Sequence, residues 1–162
     1  MAVSKLDFKV EMDSAALTRA FSLAPVTTKI ALQDWVSRST LRAERAEKSR
    51  FVEMVSANSS GRTITSIKSH IGVLEGEAKS DTEYNYWVVH GRKPGKMPPF
   101  QEGSDLAAWA RRAGVDPFLV ARSIAKNGTK GIPYVEAAYK DIKDPVYVDG
   151  RKVLSTIIGS LT

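Results

Sequence analysis

The sequence predicts an α+β fold in which an antiparallel sheet of about three to four strands packs with a long N-terminal helix and several C-terminal helices. Three observations predict it. Residues 26–57 contain no glycine or proline and repeat apolar residues at helical spacing. Residues 61–90 carry apolar runs of strand length between turn signals. Beyond residue 104 helical spacing returns, punctuated by Gly and Pro.

The chain begins with Leu6, Phe8, Val10 and Met12 alternating with Asp7, Lys9 and Glu11, the period of a strand with one buried face. Residues 14–23 read as a short helix capped by Asp13 or Ser14. In the long helix that follows, Val26 pairs with Ile30, Ala31 with Trp35, Leu32 with Val36 and Phe51 with Val55. Asp34 with Arg38 and Glu44 with Lys48 support it at i,i+4. Its middle is polar on most sides, which predicts that it stays partly exposed or packs on a neighbouring subunit and is not held by burial in its own monomer. Strands are expected at 64–72, at 73–79 and at 84–90. The last run is apolar on both faces, with Tyr84, Tyr86 and Val88 on one and Trp87 and Val89 on the other, and is expected to be a central covered strand. Residues 91–99 hold two Gly and three Pro and must form a loop.

Helices are then expected at 104–113 and 117–127, followed by a loop at 127–131 and a helix starting at Pro133. Val153, Leu154, Ile157, Ile158 and Leu161 form one stripe, an amphipathic helix or an arm for a partner. No repeat or linker divides the chain, so residues 1–162 are expected to be one domain: long helix 26–57, sheet 61–90, helical part 104–144 and C-terminal arm or helix 146–162.

Composition excludes several functions. The chain has no cysteine, which removes thiol nucleophiles, disulfides, iron–sulfur clusters and cysteine-bound zinc. No stretch approaches the ~20 apolar residues of a membrane span, and the N-terminus lacks the features of a signal peptide, so residence inside a cell is expected. His70 and His90 have no second ligand at metal spacing, and no nucleophile accompanies His90. Glu75, Glu77, Asp81 and Glu83 read as a solvated acidic edge. Gly91-Arg-Lys-Pro-Gly lacks the ending of a phosphate loop. No enzyme activity and no cofactor are expected.

The net charge of +6 is regional, since residues 90–130 hold eight Lys and Arg against three Asp and Glu. Arg92, Lys93, Lys96, Arg111, Arg112, Arg122 and Lys126 are the residues expected to touch acidic partner surfaces or passing DNA, with a merely solvated surface as the alternative. Residues 106–127 also spell a helix-turn-helix: Ala110 in the first helix, Ala113-Gly114-Val115 at the turn, Asp116 as N-cap, and Val120 and Ile124 inside the second. Against DNA reading, the second helix opens on Pro117, Phe118 and Leu119, where base-reading polar groups would be wanted.

Taken in order, the elements resemble the neck and tail-completion proteins of long-tailed bacteriophages, the group that includes the minor tail protein Z of lambda-like phages. The carrying residues are Gly61-Arg62 with Ser66-Ile67, Tyr84 to Gly91, Met97-Pro98-Pro99, Trp109, and Ile124 to Thr129 followed by Pro133-Tyr134, within residues 26–143. Ser60, Thr63 and Tyr134 depart from the group's commoner Thr, Leu and Phe. The resemblance implies a virion protein assembled in the host cytoplasm as a homo-oligomeric ring at the head–tail junction. Its partners would be head-completion or connector proteins and tail-terminator or tail-tube proteins, with passing DNA in the channel and no membrane. The alternative is a helix-turn-helix DNA-binding regulator using residues 106–127.

Overall fold

The computed structural model describes residues 8–11, 25–55 and 61–161. The expected helix at 14–23 lies outside them. The described elements are β1 (Phe8–Glu11), α1 (Val26–Val55), α2 (Arg62–Ser66), β2 (Ile67–Ile71), β3 (Glu75–Ser80), α3 (Glu83–His90), β4 (Gly91–Arg92), α4 (Asp105–Ala113), α5 (Pro117–Asn127), β5 (Thr129–Lys130) and α6 (Tyr134–Leu161). The predicted α+β class is the observed one. β1, β3 and β2 form a three-stranded antiparallel sheet in that order, with Phe8 opposite Ala78 and Ser69 opposite Ala78 on the other side.

α1 and α6 pair as an antiparallel hairpin, and its α1 member lies on this sheet. The register is written in three cross-links: Arg50 donates two hydrogen bonds to Asp141, at 2.6 and 2.8 Å, Arg42 pairs with Asp149 at 2.9 Å, and the Trp35 indole donates to the Val146 carbonyl. The Arg50 guanidinium holds the Asp141 carboxyl below the usual carboxylate range. Gly150 faces Trp35, and a Cβ there would sit 2.8 Å from the indole ring, so the glycine lets the two helices close around the tryptophan.

The expectation that α1 is not held by burial in its own monomer is overturned. Its inward stripe is Thr28, Val36, Ser39, Thr40, Ala43, Glu47 and Phe51, all buried. Small side chains let the sheet come close where a leucine stripe would hold it off. A Cβ on Gly76 of β3 would fall 1.8 Å from the Thr40 hydroxyl, and that hydroxyl donates to the Val36 carbonyl within its own helix. The Thr40 hydroxyl is therefore satisfied within its own helix while the backbones approach. Glu44 accepts a hydrogen bond from the Ser69 amide at 2.8 Å, tying β2 to the same helix.

Two small cores result. Ala43, Ala78, Ile142 and Val146 pack with Trp35 and Ala46 under the hairpin. Phe51, Ile67 and Tyr134 form the other, surrounded by Met54, Val55, Ile64, Val88, Val89 and Val135.

Two further expectations change. Residues 84–90 belong to helix α3, not to a central strand. β3 already has partners on both sides, and a short apolar run satisfies strand and helix spacing alike. Helical rotation turns Val88 and Val89 to the Phe51 core and leaves Trp87 48% exposed. The strand expected at 64–72 is shorter, because residues 62–66 form α2 first. The C-terminal expectation resolves as one helix: α6 runs unbroken through Pro145 to Leu161.

Tyr134 sits at the start of α6, fully buried, and its hydroxyl donates to Asn85 Oδ1 at 2.7 Å. Burial pushes this phenol well above its ordinary range, and the nearby Glu47 carboxylate adds to the rise. The unfolded chain then loses the proton first. Stability is fully present below about pH 10 and falls above it by about 1.4 kcal/mol per pH unit. Urea midpoints measured from neutral to alkaline pH should show this decline, and Tyr134→Phe should abolish that component while costing about 1 kcal/mol at neutral pH for the lost hydrogen bond. An equal alkaline decline in both proteins would contradict it.

Candidate basic interface

The features most open to a partner lie where α3, the loop after it and the end of α5 meet. Gly91 and Arg92 pair antiparallel with Lys130 and Thr129. Around this two-residue ribbon the Ile132 amide bonds the Val88 carbonyl and the Gly95 amide bonds the Ala125 carbonyl, each at 2.8 Å. Three glycines make the approach possible. A Cβ on Gly91 would lie 2.2 Å from the Thr129 carbonyl, one on Gly128 2.2 Å from the Arg92 carbonyl, and one on Gly131 2.3 Å from the Val89 carbonyl. Those obstacles are backbone atoms, which cannot swing aside.

This clip joins two stretches that contain no acidic residue, 84–101 and 117–135. The first carries Arg92, Lys93 and Lys96, the second Arg122, Lys126 and Lys130. Those six cations equal the net charge of the whole chain, because the other 18 Lys and Arg are matched by 18 Asp and Glu. Lys93, Lys96, Arg122, Lys126 and Lys130 are exposed. Arg92 is half-buried: its guanidinium donates to the Lys96 carbonyl at 2.7 Å and lies over the Trp87 ring, 5.7 Å from the centroid. Tyr86 meets Trp87 edge-on at 5.1 Å and His90 at 4.6 Å.

Five of the seven expected contact residues are thus brought to one region. Arg111 and Arg112 are not. They end α4, beside the N-terminal end of α5, and Lys126 lies at the other end of α5, about 15 Å of helix away. Arg111 instead reaches Glu102 at 3.7 Å. Lys130 and Trp87 belong to the region although they were not among the expected contacts. The acid-free stretch around Lys130 was a usable signal, whereas reading 84–90 as a covered strand hid Trp87.

The two helices and the turn of the helix-turn-helix spelling form with the expected bounds. Ser104 caps α4 by accepting from the Ala107 amide, Gly114 takes the left-handed conformation with φ 69°, and Asp116 accepts from the Phe118 and Leu119 amides. Phe118 and Leu119 are nonetheless exposed at the start of α5, and Phe118 packs against Phe100 at 5.5 Å. This end of the helix offers apolar surface and no base-reading group.

Among the described residues no set of three or more His, Asp or Glu is placed to hold a metal ion, and no helix is long and apolar enough to cross a membrane. The open cleft of about 350 Å³ beside the β2–β3 turn, lined by His70, Ile71, Gly72, Glu75, Gly76 and Glu77, brings no nucleophile to His70. No protein-family model, curated protein or solved structure matches the chain.

Proposed function

We propose that the chain is a structural subunit of a tailed-phage virion, a neck or tail-completion protein that assembles as a ring around the DNA channel at the head–tail junction. The observation that carries this reading is the placement of large apolar side chains outside the core on different elements. Val26, Ile30 and Leu154 are exposed at one end of the α1–α6 hairpin, Val26 by 69%, while Phe118 and Leu119 are exposed on α5, Leu119 by 61%. A closed ring of identical subunits needs two non-equivalent surfaces of this kind, since each copy meets one neighbour with one face and the next with another. The residues at 61–67, 97–99, 109 and 124–134 that resemble the neck group support the same reading. Head-completion and tail-tube proteins are the partners it implies, and the virion is the location.

The regulator reading is the weaker one because α5 presents Phe118 and Leu119 where a recognition helix needs polar groups. Sedimentation velocity and negative-stain electron microscopy test the proposal. Closed rings are expected, formed by the protein alone or with its head and tail partners, and Val26→Glu with Leu119→Glu should return the protein to monomers of unchanged helical content. A wild-type protein that stays monomeric or dimeric under all these conditions would refute it.

A further inference from the structure

We infer that the clip formed by residues 91–96 and 122–130 binds the phosphodiester backbone of DNA without reading its sequence. It rests on the ring reading only for which DNA is met; the site itself stands on charge and geometry. Half of the chain's other described cations are answered by carboxylates: Arg38, Arg42, Lys48, Arg50, Arg62, Lys79, Arg111 and Lys140 each lie in an ion pair. The six on the clip come from stretches with no carboxylate at all, so their field is uncompensated locally.

The chemistry of these cations favours a phosphate backbone over an acidic protein face. Four of the six are lysines, all exposed. Lysine is a point charge on a flexible stem and is depleted at the centres of protein–protein interfaces, but it follows a line of phosphates without demanding one orientation. Arg92 is the ordered member, because the Trp87 ring and the Lys96 carbonyl hold its guanidinium. Trp87 therefore acts as a positioning residue for Arg92 on a duplex, and on a single strand its half-exposed ring also offers a surface for an unstacked base.

The glycine contacts fix where the charges lie. Because the 91–92 and 129–130 backbones are in register, Arg92 and Lys130 leave the same short ribbon, and the Gly95 bond to Ala125 places Lys96 beside the last turn of α5, which carries Lys126. Arg122 lies one turn earlier on that helix. The result is a continuous basic strip built from two segments some thirty residues apart in sequence.

Fluorescence anisotropy with short labelled duplexes of two unrelated sequences, and with a short single strand, tests this across a salt series. The two duplexes should bind equally. The logarithm of affinity should fall with the logarithm of salt by about 0.9 per phosphate neutralised, reaching a slope of about −5 if all six cations engage. Lys93→Ala, Lys96→Ala, Lys126→Ala and Lys130→Ala should each reduce that slope by about one, while Lys143→Ala on α6 should leave it unchanged. Tighter binding of the single strand, lost in Trp87→Ala, would support the site with a single strand as the source of the phosphates; equal or tighter duplex binding supports it with duplex. A preference between the two duplexes overturns the inference, as does a salt slope that responds equally to Lys143→Ala. So does the absence of DNA binding in a protein whose clip variants lose only their hold on a protein partner. A wild-type ring that binds no DNA overturns this inference alone, and a monomer that binds duplex with the expected slope overturns the ring alone.

Discussion

Replacing Phe51 with alanine is expected to destabilise the protein by about 3–5 kcal/mol. Phe51 is 2% exposed and meets the Tyr134 ring edge-on at 5.2 Å, in the core it shares with Ile67. Five elements converge there: the last part of α1, Ile64 of α2, the first residue of β2, Val88 and Val89 of α3, and the first turn of α6. The cavity cannot be filled by collapse of one neighbour without moving the others, so the cost should fall at the upper end of what such truncations show. For a chain of this size it should lower Tm by roughly 10 °C. Guanidinium unfolding followed by circular dichroism measures it, and Phe51→Leu should lose about 1.5 kcal/mol or less because volume is nearly kept. A loss below about 1 kcal/mol for the alanine variant would mean that this cluster does not hold the halves of the molecule together.

The contrast between Phe51 and the rest of its helix explains what the sequence made legible. The helix itself was visible because thirty residues pass without Gly or Pro. α4 and α5 were legible nearly to the residue, since Ser104 and Asp116 are capping side chains and Gly114 a C-terminal glycine, all acting within one turn of the helix they bound. The buried face of α1 was not legible. Ser39, Thr40 and Glu47 look like surface residues, and only the sheet's close approach at Gly76 turns them inward. α3 failed for a related reason. Tyr86, Trp87, Val88 and Val89 satisfy a strand or a helix, and the decision was made elsewhere, by β1 taking the second edge of β3. The basic region was half legible: its two acid-free stretches can be counted in the sequence, but their union depends on backbone contacts across thirty residues, and no local pattern encodes those.

Gly91→Ala tests that union directly, and its expected cost is about 2–4 kcal/mol from two separable sources. Gly91 has φ 71°, which strains any residue with a Cβ, and its Cβ would also press on the Thr129 carbonyl at 2.2 Å and the Gly131 nitrogen at 2.5 Å. Gly103 separates the two terms. Its φ is also positive, at 89°, but nothing lies within 4 Å of its Cβ, so Gly103→Ala should lose only about 1 kcal/mol. The excess at Gly91 is the steric cost of prising the ribbon apart. Because Phe51, Ile67 and Tyr134 remain packed, the damage should stay local, and hydrogen exchange can see it: the Ile132 amide, bonded to Val88, and the Gly95 amide, bonded to Ala125, should lose protection while the amides of α1 keep theirs. The six cations would then no longer share one strip. DNA affinity should fall and its salt slope flatten although no charge has been removed, an outcome that separates a shaped site from a mere excess of lysine. Equal losses of stability in Gly91→Ala and Gly103→Ala, with the salt slope unchanged, would show that the ribbon does not hold the strip together.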